Sequence, residues 1–269
     1  MLHIEFMGIP GCGKSALLSR LIISLNPTQY KCYIAEDALL LALSKTKEGR
    51  FLTPLLKFIP FRLTRKKAHA VFRILGIHGT AQCRFIAQRA NAMQAILESA
   101  LFAKLSSTER ALALARFFET ASMYQLIHEK LNAHFPVMFD EGFLQRTMSL
   151  FLAPGIDTTH FSNNYLRSYL SNVPQPALVI WVDAVTEVCY KRMKYRRKGL
   201  PIRLQGFAKS TIVKFLNTSR EHFETVSEWM IDNNKRVIRV SNEGNFDNIL
   251  KSLNNDVIKF FYNYKPCVE

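Results

Sequence analysis

The chain has 269 residues, 48% of them hydrophobic, and a formal net charge of +15. That balance supports one sizeable packed core and excludes wholesale disorder, and no apolar run is long enough to span a bilayer. Five scattered cysteines (Cys12, Cys32, Cys83, Cys189, Cys267) form no CxxC pair, which excludes a disulfide framework or zinc site and makes a reducing, cytoplasmic setting the expectation.

His3-Ile4-Glu5-Phe6-Met7 reads as a short buried strand ended by Gly8. Since it is under way by residue 2, no room is expected for a cleavable leader. Residues 15–25 form a helix with Leu17, Leu18, Leu21, Ile22 and Leu25 on one face, stopped by Asn26-Pro27. Residues 32–35 are a second strand, followed by Glu36-Asp37. Residues 38–133 are mostly helical, broken early by Pro54 and Pro60. Two long periodic segments follow, 82–102 and 108–131, the latter opened by the cap sequence Ser107-Thr108-Glu109. A third strand, 136–140, ends in Asp140-Glu141-Gly142. The next helix carries Leu144, Met148 and Phe151 on one side, and a short one covers 163–171. Residues 178–183 are the fourth strand, and the helix 186–197 is closed by Gly199-Leu200-Pro201. A long helix over 210–231, a fifth strand over 236–240 and a terminal helix over 245–262 complete the chain.

Five strands alternating with helices predict parallel pairing, because each parallel pair needs a crossover. The expected fold is a three-layer α/β domain with ligands at the carboxyl ends of the strands. Glu36-Asp37, Asp140-Glu141 and Asp183 all fall at those ends.

Between the first strand and its helix lies Gly8-Ile9-Pro10-Gly11-Cys12-Gly13-Lys14-Ser15, a GxxxxGK[ST] spacing. Glycines let backbone N–H groups turn inward around phosphate oxygens. Lys14 then reaches the β- and γ-phosphates, the Ser15 hydroxyl ligates Mg²⁺, and the following helix aims its positive end at the same anion. Cys12 reads as a small loop residue. Asp140 is the candidate second Mg²⁺ ligand, with Glu141 beside it and Arg146 able to turn toward an anionic acceptor. Glu36 could accept the proton of an acceptor hydroxyl, or with Asp37 simply favour a helix start.

Positive charge is concentrated in two acid-free runs. Residues 49–97 hold Arg50, Lys57, Arg62, Arg65, Lys66, Lys67, Arg73, Arg84 and Arg89, and residues 188–220 hold ten more cations. Such runs face an anionic partner or open solvent. In the second run Arg192 and Arg196 share a helical face, and Arg197 and Arg203 flank a Gly-Pro turn. That pattern suits a mobile lid that neutralises a phosphoryl group in transfer and excludes water. The seven histidines show no metal-ligand spacing. Phe residues alternating with basic ones over 51–72 could stack on bases or simply pack.

The loop Gly8 to Ser15, the acids after strands 2 and 3, and the segment from Cys189 to Gly199 after strand 4 together resemble the nucleoside and nucleotide kinase branch of P-loop proteins, the thymidylate-kinase-like group in particular. Where that group has an acid-arginine pair after strand 3, this chain has Asp140-Glu141-Gly142, with its nearest arginine at Arg146. The resemblance implies the P-loop NTPase fold, a five-stranded sheet in the order 2-3-1-4-5, and adenine binding near residues 241–246. It further implies one kinase-like domain over 1–269, with a helical acceptor-side insertion over 45–133 and an arginine-rich lid over 189–206. The expected activity is ATP- and Mg²⁺-dependent phosphoryl transfer to a small acceptor, a nucleoside or nucleoside monophosphate. In that reading Lys14, Glu36, Asp140, Arg192 and Arg196 are catalytic, and Glu141 and Arg146 bind the acceptor. The alternative, motivated by the charge, is a nucleic-acid-associated or regulatory P-loop ATPase with no small acceptor.

Overall fold

A computed structural model of the chain describes residues 1–26, 31–47, 72, 76–132, 135–156, 163–197 and 199–264. Most of the first basic run and of the 51–72 alternation lies outside these residues, as do Lys198 and Cys267.

Strand β1 (Leu2–Met7) is buried along its whole length and forms the centre of the sheet. It pairs in parallel with β3 (Pro136–Phe139), Ile4 opposite Met138, and with β4 (Leu178–Asp183), Phe6 opposite Ile180. β2 (Tyr33–Ile34) lies outside β3 and β5 (Arg236–Ser241) outside β4. The order is β2-β3-β1-β4-β5, as expected, with every pair parallel. β1 and β4 read as nearly continuous apolar runs because helices cover a parallel sheet on both faces.

The described helices are α1 (Lys14–Leu25), α2 (Ala35–Ser44), α3 (Ile77–Gln88), α4 (Ala90–Leu97), α5 (Ala100–Lys104), α6 (Ser107–Lys130), α7 (Phe143–Phe151), α8 (Asn163–Asn172), α9 (Thr186–Tyr195), α10 (Lys209–Asp232) and α11 (Phe246–Asn263). α1 packs on β1 and α11, while α7 packs on β1 and α10, which gives the three layers. A second, smaller core joins α2 and α6 to the β3 edge through Leu39, Met123, Leu126, Val137 and Phe139.

Three local expectations are corrected. The second strand ends at Ile34, because Ala35 already starts α2; Glu36 and Asp37 therefore lie in a first helical turn, where the dipole favours acids. The segment 82–102 is not one helix but belongs to three, and the break before α5 is explained by Ser99, whose side chain accepts from the Phe102 N–H and so restarts the helix there. α6 is capped by Ser106, one residue earlier than expected: its hydroxyl accepts from the Glu109 N–H while the Glu109 carboxylate reaches back, a full capping box.

Candidate active site

The loop between β1 and α1 is held open from behind by three side chains. Gln145 Oε1 accepts from the Gly8 N–H at 3.0 Å. The Cys12 carbonyl accepts from Asn242 Nδ2 at 2.7 Å and from Arg192 Nη1 at 3.4 Å. Arg192 Nη2 also donates to the Asn242 carbonyl at 3.0 Å, tying the loop to the end of β5. Gly13 has φ 99, in the left-handed region, and a Cβ there would lie 2.2 Å from Asn242 Nδ2. Only glycine meets both conditions. Burial raises the Cys12 thiol pKa, in keeping with a packed loop residue and not a nucleophile.

α1 starts at Lys14, so its unpaired N–H groups face the loop interior. Lys14 Nζ donates to the Gly8 carbonyl at 3.2 Å. Ser15 Oγ donates to Asp140 Oδ2 at 2.5 Å, joining two residues 125 apart in sequence. Asp140 Oδ1 is buried with no hydrogen-bond partner. A hydroxyl and a carboxylate, one of whose oxygens is left unsatisfied, are the hard oxygen donors that Mg²⁺ takes, so these residues fit that ion.

β3 ends at Phe139, and the two acids that follow diverge. Asp140 turns to Ser15, whereas Glu141 Oε2 accepts from Arg146 Nη1 at 2.7 Å. Arg146 Nε donates to Thr120 Oγ1 on α6 at 3.0 Å. Glu141 is open to the water of the cleft but enclosed by its walls. Burial raises its pKa; the Arg146 guanidinium and the Lys14 charge outweigh this and hold it below the ordinary range, so it is ionised at neutral pH.

Glu5, fully buried in β1, accepts from the N–H groups of Phe143 at 2.9 Å and Leu144 at 2.7 Å. A carboxylate at the start of α7 satisfies two orphan donors and complements the dipole. The contact needs Gly142, where a Cβ would lie 2.2 Å from Glu5 Cδ. Glu5 thus fixes the helix that delivers Gln145 to the loop and Arg146 to Glu141. Sequence reading passed over both Glu5 and Gln145. An acid inside an otherwise apolar strand was the available clue to the first; nothing local marked the second.

These groups open on a cleft of about 660 Å³. Among the described residues its walls carry Lys14, Arg116, Arg146, Arg192, Arg196 and Arg203, against one acid, Glu141. Arg192 and Arg196 therefore come together as expected, with Arg196 Nε donating to the Gly199 carbonyl at 2.6 Å. Arg203 was expected in the lid beside its turn, whereas Arg116 was not singled out. Arg203 Nη2 donates to the Leu152 carbonyl at 2.7 Å, and its guanidinium lies 5.0 Å from the centre of the Phe215 ring. Glu36, Asp37 and residues 241–246 do not line this cleft. Asp183 is also elsewhere engaged, in a fork with Arg220 at 2.7 Å and Arg239 at 2.7 Å that joins β4, α10 and β5.

Among the described residues, no helix is long and apolar enough to cross a membrane. No protein-family model matches the chain, and no curated protein matches it. Among solved structures it is similar to three of deoxyadenosine kinase from M. mycoides, each alignment covering 95% of this chain and 98% of that one. They are the forms with bound dCTP (13% identity, TM-score 0.46), with the products dCMP and a flexible dCDP (13%, 0.48) and with bound dATP (14%, 0.47).

Proposed function

We propose that the chain is a P-loop kinase, similar to the thymidylate-kinase-like group, that moves the γ-phosphoryl group of Mg·ATP to a hydroxyl of a small acceptor, a nucleoside or nucleoside monophosphate. The observation that carries this is the Ser15–Asp140 contact, with an unsatisfied carboxylate oxygen, placed beside Lys14 at the mouth of a cleft walled by cations.

In this reading the inward amides of Gly11 to Ser15 bind the triphosphate tail, and Lys14 exchanges the Gly8 carbonyl for phosphate oxygens. When bound, Mg²⁺ held by Ser15 and Asp140 would neutralise phosphate charge. Glu141 is the one acid in the cleft walls among the described residues, so it orients the acceptor hydroxyl and takes its proton, while Arg146 keeps it ionised and aimed. Arg192 and Arg196, in a lid over residues 189–206, stabilise the charge on the group in transfer. Residues 45–133 form the acceptor side.

The test is calorimetry of Mg·ATP binding, followed by ATP-dependent phosphorylation of a panel of nucleosides and nucleoside monophosphates. Lys14→Ala and Asp140→Asn should each lower kcat by about 100-fold or more. Failure of the wild-type protein to bind Mg·ATP would remove the proposal. An ATPase stimulated by DNA or RNA, with no acceptor phosphorylated, would replace it with the polymer-dependent alternative.

A further inference from the structure

α9 has three faces, and only two of them are engaged by the fold and the cleft. Cys189 and Met193 are buried in the core, and Arg192 and Arg196 turn to the cleft. The third face, a turn of about 100° from Arg192, carries Lys191, Lys194 and Tyr195, all exposed and none of them lining the cleft. It continues past the helix through exposed Arg197 and reaches Lys209 at the start of α10. Lys209 Nζ lies 5.7 Å from the centre of the Tyr190 ring, and Tyr190 and Lys194, four apart, are neighbours on α9, so Lys209 joins the same surface. Among the described residues these cations have no carboxylate partner. Glu187, one turn before Lys191, accepts instead from Thr186 Oγ1 at 3.0 Å.

Large apolar side chains stand out among these charges. Tyr195 is 80% exposed, and Ile202, in the short 3₁₀ turn after Pro201, is 76% exposed. Phe207, between that turn and α10, is 41% exposed. Single exposed apolar residues need no explanation, but three within 195–207, interleaved with unpaired cations, form a surface that is unfavourable in water on two counts. An anionic bilayer relieves both: its headgroups neutralise the cations, and its interface takes in the apolar groups. A nucleic acid would relieve only the charge at Ile202, because an aliphatic side chain offers no face on which a base can stack.

We infer that the outer face of α9 and the turn after it form a peripheral binding surface for anionic membranes. Lys191, Lys194, Arg197 and Lys209 pair with the lipid headgroups, while Tyr195 and Ile202 insert between them. The inference does not depend on the kinase reading, since none of these residues lines the cleft.

The experiment is co-sedimentation of the full chain with vesicles of phosphatidylcholine alone and of phosphatidylcholine and phosphatidylserine in equal parts. The protein should bind the anionic vesicles and not the neutral ones. Raising the salt from about 0.1 M to about 1 M, which shortens the screening length from about 10 Å to about 3 Å, should weaken binding about 10-fold or more. Each cation near an anionic surface contributes about 5-fold, so Lys191→Gln with Lys194→Gln should weaken binding about 25-fold. Ile202→Ser should weaken it about 10-fold. Both variants change exposed side chains and should keep the wild-type Tm. As a direct readout of insertion, the emission of Ile202→Trp should shift to the blue on anionic vesicles. Equal binding to both kinds of vesicle, or to neither, would overturn the inference, as would variants that bind like the wild type, which would move the contact to another surface. If the emission of Ile202→Trp does not shift on vesicles and single-stranded RNA binds more tightly, the face serves a nucleic acid and the inference is equally overturned. Mg·ATP binding is measured separately, and its failure would count against the kinase reading alone.

Discussion

Glu5 holds more of the candidate site in place than any residue inside it. Its carboxylate accepts two backbone N–H groups of α7 and lies 2.9 Å from His3 Nε2, with no exposure to water. Glu5→Gln would set an amide NH₂ against one of those donors and leave it unsatisfied, so urea denaturation should show a loss of about 2–3 kcal/mol. Turnover should fall too, since Gln145 and Arg146 ride on the same helix. Glu141 and Glu36 can be separated kinetically. Glu141 lines the cleft and Glu36 does not, so Glu141→Gln should lower kcat by about 100-fold or more, whereas Glu36→Gln should change it by less than about 3-fold. The reverse ranking would return the base to α2. At this scale the glycine-rich turn from Gly8 to Ser15 between β1 and α1 was legible, because it is one contiguous stretch of backbone. Asp140 was legible as a strand-end acid. The partition between it and Glu141 was not: it depends on where α1 and α7 stand relative to β3.

Helix ends show how much the choice of a single residue decides at the level of elements. Ser106 and Glu109 satisfy two orphan N–H groups of α6 reciprocally. α6 carries Arg116 to the cleft and Thr120 to Arg146, so its start matters to the site. Ser106→Ala should cost about 1 kcal/mol in denaturant midpoint with an unchanged m-value. Ser107→Ala should be close to neutral, and equal losses at the two positions would contradict the cap assignment. The hydrophobic period located this helix to within a residue or two but chose the wrong serine, because both precede the same apolar pattern. The same period merged α3, α4 and α5 into one segment. Apolar spacing continues across the break at Ser99, where the side chain competes successfully for the Phe102 N–H. β2 shrank to two residues for a related reason. Strand pairing beyond Ile34 loses to a helix start that two acids favour.

At the scale of the whole molecule, packing of the outer helix layer should be visible in the acid limb of stability. His222 on α10 approaches Thr147 Oγ1 on α7 at 2.9 Å, and burial pushes its pKa down to about 4. Between pH 6.5 and 4 the unfolded chain takes up a proton at this site that the folded chain does not. Stability should therefore fall on acidification through that window, by up to about 3 kcal/mol at pH 4. His222→Gln should flatten that part of the profile in thermal melts across pH; an unchanged slope would mean the imidazole is charged in the fold. The sheet order was implied only by the resemblance to P-loop kinases, whereas the alternation of strands with helices, their parallel pairing and the position of the glycine-rich loop were determined by sequence alone. Each follows from local patterns: apolar runs, glycine spacing, and the rule that parallel strands need crossovers. Only the tertiary structure decided that Glu5 anchors α7, that Gln145 and Asn242 brace the loop, and that Arg116 and Arg203 meet in one cleft. Those contacts join residues up to 230 apart, as Asn242 and Cys12 are, and no local pattern encodes a distance of that kind. They arise when helices from separate crossovers are packed onto one sheet and their polar groups must find partners within it.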